Sequence, residues 1–359
     1  MTIPTEPIGS IPRPQQLIVA MQKWGQGQLS PSEFQAIAEE ALRDTIRRFE
    51  ATGSPVITDG EQTKPSFATY PVHGSSSLAP DGISIPFADG HTRQLPRLTA
   101  GPFRYTTYAG SYVSAAKRLT ERPLKQAVIS ASALSLLYPD GGIPDYPREQ
   151  FLDDLVNEAE TDIRGCLEAG ACSVQIDFTE GRLALKLDPS GGLLDQFVVL
   201  NNRVFERFSE KDKLRLGVHS CPGGDLDVTH SADVDYAGLL PTLFKLKVTN
   251  FYLQMASEKN RGRVLKLIQE SIQPRHRVFV GVIDPINPTL ETPEEVCARV
   301  LQAAEHIPAH QLGTTDDCGF APFSDDTSTA RDLAFSKVAA RVQGTAMAAQ
   351  LLERQGAGR

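Results

Sequence analysis

The sequence predicts a (β/α)8 barrel formed by the whole chain, residues 1–359, and three observations carry that reading. Strand-like apolar runs alternate with amphipathic helices along most of the length, the pattern of a parallel sheet covered by helices. Eight such pairs can be read, in a length that suits one α/β barrel with an insertion. Polar residues collect just after the strands, where barrel enzymes keep their chemistry. A doubly wound open sheet is the alternative architecture.

In chain order, a short strand at 6–10 is followed by a Pro-rich turn and a helix at 32–51. In that helix Phe34, Ile37, Ala38, Ala41, Leu42, Thr45, Ile46 and Phe49 recur at i, i+3, i+4 spacing, and Ser30-Pro31-Ser32-Glu33 carries its cap signals. A second strand at 55–59 ends in Gly60-Glu61-Gln62. From 62 to 124 the pattern breaks into short β-like pieces, with turns at Gly74-Ser75-Ser76-Ser77, Asp81-Gly82 and Asp89-Gly90. This segment is expected to be an insertion with a hairpin, lying over the barrel mouth.

A buried strand at 126–132, a helix at 148–169 stopped by Gly170, and a strand at 173–177 restore the alternation. Next come a helix at 194–208, a strand at 214–218, a helix at 236–246, a strand at 249–254, a helix at 261–272 and a strand at 278–282. Thr292-Pro293-Glu294-Glu295 opens the following helix, with Thr292 as cap and Pro293 in its first turn. The last strand ends near 314, and a helix at 327–352 closes the pattern.

A hydrophobic fraction of 40%, a charged fraction of 22% and this length describe a globular chain with a large core. The formal net charge of -8 and the lack of Lys/Arg clusters argue against nucleic acid, and no apolar run could cross a bilayer. Five cysteines without regular spacing, and no signal peptide, lead to the expectation of a reducing, cytoplasmic setting.

The chemistry concentrates in His219-Ser220-Cys221-Pro222-Gly223-Gly224-Asp225. An imidazole and a thiol two residues apart at a strand's end share one side of the pleat. Cys318, in Thr315-Asp316-Asp317-Cys318-Gly319-Phe320, also follows a short apolar run, and residues 251–258 between them end in polar side chains that include Gln254 and Glu258. One His, two Cys and an oxygen ligand from successive strand ends form a tetrahedral zinc set. Taken singly, each thiol reads more readily as a small core hydrophobe.

Zinc bearing two thiolates is a weak activator of water and a good binder of a third thiolate, which suits alkyl transfer to sulfur. Glu61 and Asp177, each following a buried strand, could hold an ammonium group, and the Gly9 and Ser10 amides a carboxylate. Together they would recognise an amino acid bearing a thiol. Asp284, before Pro285, reads as a structural cap.

Several stretches, taken as an ordered set, resemble the catalytic barrel of the cobalamin-independent methionine synthase family. They are Ile8-Gly9-Ser10-Ile11-Pro12-Arg13-Pro14, Asp59-Gly60-Glu61, Gln175-Ile176-Asp177, His219-Ser220-Cys221, Glu291-Thr292-Pro293-Glu294-Glu295 and Asp317-Cys318-Gly319. The resemblance implies a zinc held by His219, Cys221, Cys318 and an acidic residue, with homocysteine bound as thiolate. It implies acceptor binding by Ile8, Gly9, Ser10, Glu61, Asp177 and Gln254, of which Glu61 and Asp177 act in catalysis.

Some positions depart from the family pattern. Gln254 stands where the family's Glu ligand closes its strand, so either Gln254 supplies the fourth ligand with a neutral oxygen, as strand register favours, or Glu258 reaches back to supply it, as charge favours; Glu258 is the expected ligand of the two. Asp284-Pro285-Ile286 lacks the family's imidazole, Phe178-Thr179 replaces Glu-Pro after Asp177, and no Trp lies near Tyr138. Full-length synthases carry an extra N-terminal barrel, and this chain is expected to work without one.

The expected activity is therefore a zinc-dependent methyl or alkyl transfer to a thiol, homocysteine first among them, from a folate or a corrinoid protein. A metal-free barrel decarboxylase of the uroporphyrinogen type is the alternative, as are an alkyltransferase acting on a different thiol and a binding protein with a structural zinc.

Overall fold

The computed structural model of the protein describes residues 2–357. Its centre is a six-stranded, all-parallel sheet, built from β1 (Lys125–Ile129), β2 (Ser173–Asp177), β3 (Leu216–Ser220), β4 (Asn250–Leu253), β5 (Arg277–Ile283) and β6 (Leu312–Asp316). Each strand pairs with its neighbour in sequence, so the spatial order is the chain order. The strands are buried on both faces, apart from Arg277 at the start of β5, which explains their near-continuous apolar runs. Helices connect them and bury their apolar stripes against the sheet.

Two extended segments flank this sheet where the sequence predicts the first two strands. Thr5 bridges Thr314 of β6, and Ile57 bridges Leu124 just before β1, both in parallel. These segments also meet each other: Thr58 Oγ1 donates to Gly9 O at 2.8 Å, and Ile11 N to Gly60 O at 3.0 Å. Each pairing is reduced to a bridge in a stretch rich in proline, with Pro4, Pro7, Pro55 and Pro123 close by. Proline has no N–H to give to a ladder.

The predicted helices stand with small shifts, each with a local cause. Helix Pro31–Ala51 opens on Ser30, whose hydroxyl accepts from Glu33 N while the Glu33 carboxylate accepts from Ser30 N. Helix Pro293–Ala304 has the same reciprocal cap from Thr292 and Glu295. Helix Gln15–Gly25 was not expected, because Pro12 and Pro14 read as a turn; Pro14 in fact occupies the position just before the first helical turn. Strand β3 runs two residues later than predicted, since Leu214 caps the short helix Glu210–Lys213, and this places His219 within the strand. The last helix begins at Arg331 because residues 326–328 form a turn closed by Asp326.

Within 62–124 two antiparallel pairs are nested, Leu78–Ala79 with Arg97–Leu98 outside and Ser84–Pro86 with Thr92–Gln94 inside, and a helix Gly110–Lys117 follows. The inner pair is fastened by Arg93, whose guanidinium engages both carboxylate oxygens of Asp225 and both of Asp325. Farther from this hairpin, Lys125 lies 3.4 Å from the Tyr252 ring centre and donates to Pro7 O at 2.7 Å, while Tyr252 donates to Glu6 Oε2 at 2.6 Å. Burial brings the Lys125 pKa down to about 8.

Candidate metal centre and adjoining cavities

The register of the sheet places the candidate residues side by side. Asp177 at the end of β2 is the Cα partner of His219 in β3, and His219 is in turn the partner of Tyr252 in β4. His219 Nδ1 lies 3.3 Å from Tyr252 O, so this nitrogen carries the hydrogen and donates it. Nε2 is left with a free lone pair, buried and without a hydrogen-bond partner. A buried imidazole nitrogen fixed in this tautomer is set up to ligate a metal.

Cys221 follows β3 directly and is fully buried; its sulfur accepts from Gly223 N at 3.4 Å. Gly223 makes this turn at φ +70°, and a side chain there would run into the His230 ring. Cys318 comes from the end of β6, and its sulfur lies 3.2 Å from that of Cys221. Gly319 behind it is packed on Ser10, leaving no room for a Cβ. The ligand atoms of His219, Cys221 and Cys318 all lie within 4.8 Å of one another. The sulfur of Cys221 and burial together push the Cys318 thiol well above its ordinary range, the opposite of what a bound cation would do. One neutral imidazole and two thiols, with the imidazole tautomer already set, fit zinc.

Five of the predicted acceptor residues, Ile8, Gly9, Ser10, Glu61 and Asp177, line a cavity of about 30 Å³ together with His219 and Cys318. Glu61 sits at φ +54°, a conformation that costs energy for a side-chain-bearing residue, with its N–H held by Asp59 Oδ1 at 3.0 Å. Its carboxylate pairs with the buried Lys64 ammonium at 3.1 Å. Burial opposes that ammonium, yet Glu61 and Asp59 together raise its pKa. Burial pushes the Asp177 carboxyl up to about 6, although Gln175 Nε2 donates to it at 2.7 Å.

Gln254 and Glu258 stand apart from the three gathered donors. They line a separate cavity of about 600 Å³, to which Cys221 and Cys318 also belong. Arg182 holds both: its Nη2 donates to Gln254 Oε1 at 2.8 Å and is 3.5 Å from Glu258 Oε2. Asp317 fixes the loop that carries them, taking Met255 N, Ala256 N and Ser257 N at 2.7 to 2.8 Å. Burial lifts its carboxyl to about 6.

A third cavity, of about 450 Å³, borders the small one through Phe67, Thr179, Gly223 and Gly224. Its walls include Phe87, Leu134, Leu137, Leu183 and Phe323, with Arg93 and His230 at the side and Glu180 among the lining residues. Glu180 is buried, accepts from Ser130 Oγ at 2.5 Å and from Ser132 on one oxygen, and has no partner on the other. Sequence reasoning gave neither Glu180 nor Arg182 a role. Their one signal was the pair of ionisable residues in an otherwise apolar run after Asp177.

Residues 3–341 match the family model described as the catalytic domain of cobalamin-independent synthase. The chain belongs to that family. Among its relatives is a methionine synthase of Pyrococcus horikoshii, 20% identical over 99% of this chain and 95% of the relative. A 5-methyltetrahydropteroyltriglutamate–homocysteine methyltransferase of Streptococcus mutans is 22% identical over 88% of this chain, which spans 40% of that longer protein. The fold is shared with a solved B12-independent methionine synthase from Shewanella in complex with selenomethionine, at a TM-score of 0.78, 20% identity, and coverage of 99% of this chain and 100% of the other. The matched residues include the strand ends that gather an imidazole and two thiols. No helix among the described residues is long and apolar enough to cross a membrane.

Proposed function

We propose that the chain is a closed (β/α)8 barrel that transfers a methyl or alkyl group to a thiol held as a zinc thiolate, with homocysteine as acceptor. The observation that carries this reading is the cluster of His219, Cys221 and Cys318, with His219 Nε2 unpartnered and its tautomer fixed. The hydrogen bonds that join the first segment to the second and to β6 support ring closure. Residues 62–124 form an insertion over the mouth, a placement supported by Arg93 reaching across to Asp225 and Asp325. A metal-free decarboxylase would leave the gathered thiols without a task.

When bound, zinc would lower the pKa of the acceptor thiol so that it is deprotonated near neutrality while still nucleophilic. The protein's own groups do the rest. His219, Cys221 and Cys318 would hold the metal, and Glu258, across the cavity it shares with both cysteines, would supply the fourth ligand. The Gly9–Ser10 turn and Asp177 orient the acceptor's carboxylate and ammonium ends, and Glu61, already paired with Lys64, shapes that end of the site. The apolar cavity of about 450 Å³ receives the donor, a folate or the cofactor of a corrinoid protein, and keeps water from the transfer.

Metal analysis of the purified protein, followed by homocysteine titration, tests the reading. About one zinc per chain is expected, and Cys221→Ser or Cys318→Ser should lose it while keeping the fold, since both cysteines follow the ends of strands and neither belongs to the main apolar cluster. Thiol binding should release a proton, visible in calorimetry as a heat that depends on the buffer's ionisation enthalpy. Full zinc retention in either variant would sink the assignment.

A further inference from the structure

Arg182 stands in the first turn of helix Glu180–Leu187 with 2% of its surface exposed, and its guanidinium lies 4.0 Å from the Tyr236 ring centre. Its Nε has no hydrogen-bond partner. Gln254 gives its amide N–H to Ser257 Oγ at 2.8 Å, so the one atom with which it could ligate a metal, Oε1, already faces the cation. Glu258 is held less firmly. Its contact of 3.5 Å is long for a charge-assisted bond, its side chain is 18% exposed, and it shares a cavity with Cys221 and Cys318. The other acids of that cavity are engaged, Asp233 by Lys186, Asp235 by Arg263, Asp284 by Ile286 N and Asp317 by backbone N–H groups.

The charges decide what such a pair can do. The thiolates of Cys221 and Cys318 cancel the charge of a zinc ion, and Glu258 as fourth ligand brings the centre to one negative charge. Adding the acceptor's thiolate would bring two, which a site this buried opposes. If Glu258 leaves as the thiolate enters, the centre keeps one negative charge, and the departing carboxylate needs a cation.

We propose that Arg182 is the seat Glu258 takes when the acceptor thiolate displaces it, so that Arg182 sets the balance between a closed centre and one open to substrate. The inference rests on the zinc thiolate reading above. In the exchange the bond through the Glu258 carboxylate breaks, the bond to sulfur forms, the thiol's proton goes to solvent, and no electrons are transferred. Arg182 touches neither reactant and is a positioning residue.

The test compares the parent protein with Arg182→Met. Zinc affinity is read by competition with a chromophoric chelator, and homocysteine affinity from the visible spectrum of the cobalt-substituted protein. Deprived of its alternative partner, Glu258 should stay on the metal, tightening zinc by about tenfold and weakening homocysteine by about tenfold. Adding Glu258→Gln to Arg182→Met should abolish the gain in zinc affinity. Unchanged or weaker zinc binding in Arg182→Met, at an unchanged melting temperature, overturns the proposal. Should that variant lose its melting transition, Arg182→Gln carries both measurements with the same expectations. If no thiol alters the parent's cobalt spectrum, it is the thiolate reading that fails, and the zinc comparison still decides whether Arg182 competes for Glu258.

Discussion

Glu180 shows how much one side chain's surroundings change its chemistry. Two serine hydroxyls donate to it, which favours the carboxylate, but burial outweighs them and lifts its pKa from 4.5 to about 7. The folded protein therefore holds a proton on Glu180 that the unfolded chain has already lost between pH 4.5 and 7. Rising pH costs stability across that window, and the contribution is complete only below it. The loss amounts to roughly 3 kcal/mol. Glu180→Gln keeps an oxygen for the serines and has no proton to lose, so urea unfolding at pH 5 and pH 7.5 should show a smaller difference than in the parent. An equal difference would mean that Glu180 ionises normally. At this scale the sequence was informative where spacing itself encodes geometry, as in His219-x-Cys221, where a pleat of period two brings both side chains to one side. It was silent about Arg182, whose hydrogen-bond partners lie more than seventy residues away and share no pattern with it.

At the scale of elements, periodicity located the parallel strands and most of the long helices, because burial imposes a repeat on the side chains. Where proline dominates the local chemistry that signal failed, reducing the first two strands to bridges and hiding helix Gln15–Gly25. The turn signals at Asp81-Gly82 and Asp89-Gly90 did announce a hairpin, but only the fold shows how it is fastened. Arg93 spans two carboxylates, one fully buried on Asp225 and one exposed on Asp325, and packs 4.3 Å from the Phe323 ring centre. Arg93→Ala should speed amide hydrogen exchange of residues 84–94 by about tenfold or more and leave β1 to β6 protected. Arg93→Lys should rescue little, because an ammonium lacks the planar fork that serves both carboxylates. Unaltered exchange in Arg93→Ala would show that the hairpin is held by its apolar contacts alone.

The whole molecule is joined where its ends meet. Arg341, on the last helix, is fully buried, pairs with Asp316 at the end of β6 and donates to Thr5 Oγ1 at 3.1 Å, linking the first extended segment to the last strand and helix. Removing that cation strands a buried carboxylate, so Arg341→Met should cost about 3 to 5 kcal/mol in urea unfolding, and a second change, Asp316→Leu, should restore part of it. A cost below about 1 kcal/mol would show that this pair does little to join the two ends. The close approach of Cys221 and Cys318 has a consequence for handling the protein. Two sulfurs 3.2 Å apart and 97 residues apart in sequence are placed for oxidation. Diamide should take two electrons and two protons from this pair in the metal-free protein, leaving two fewer free thiols than in a zinc-loaded sample and a chain unable to accept metal until it is reduced. The two thiols that could hold a metal are thus also a pair able to close on itself in the metal's absence.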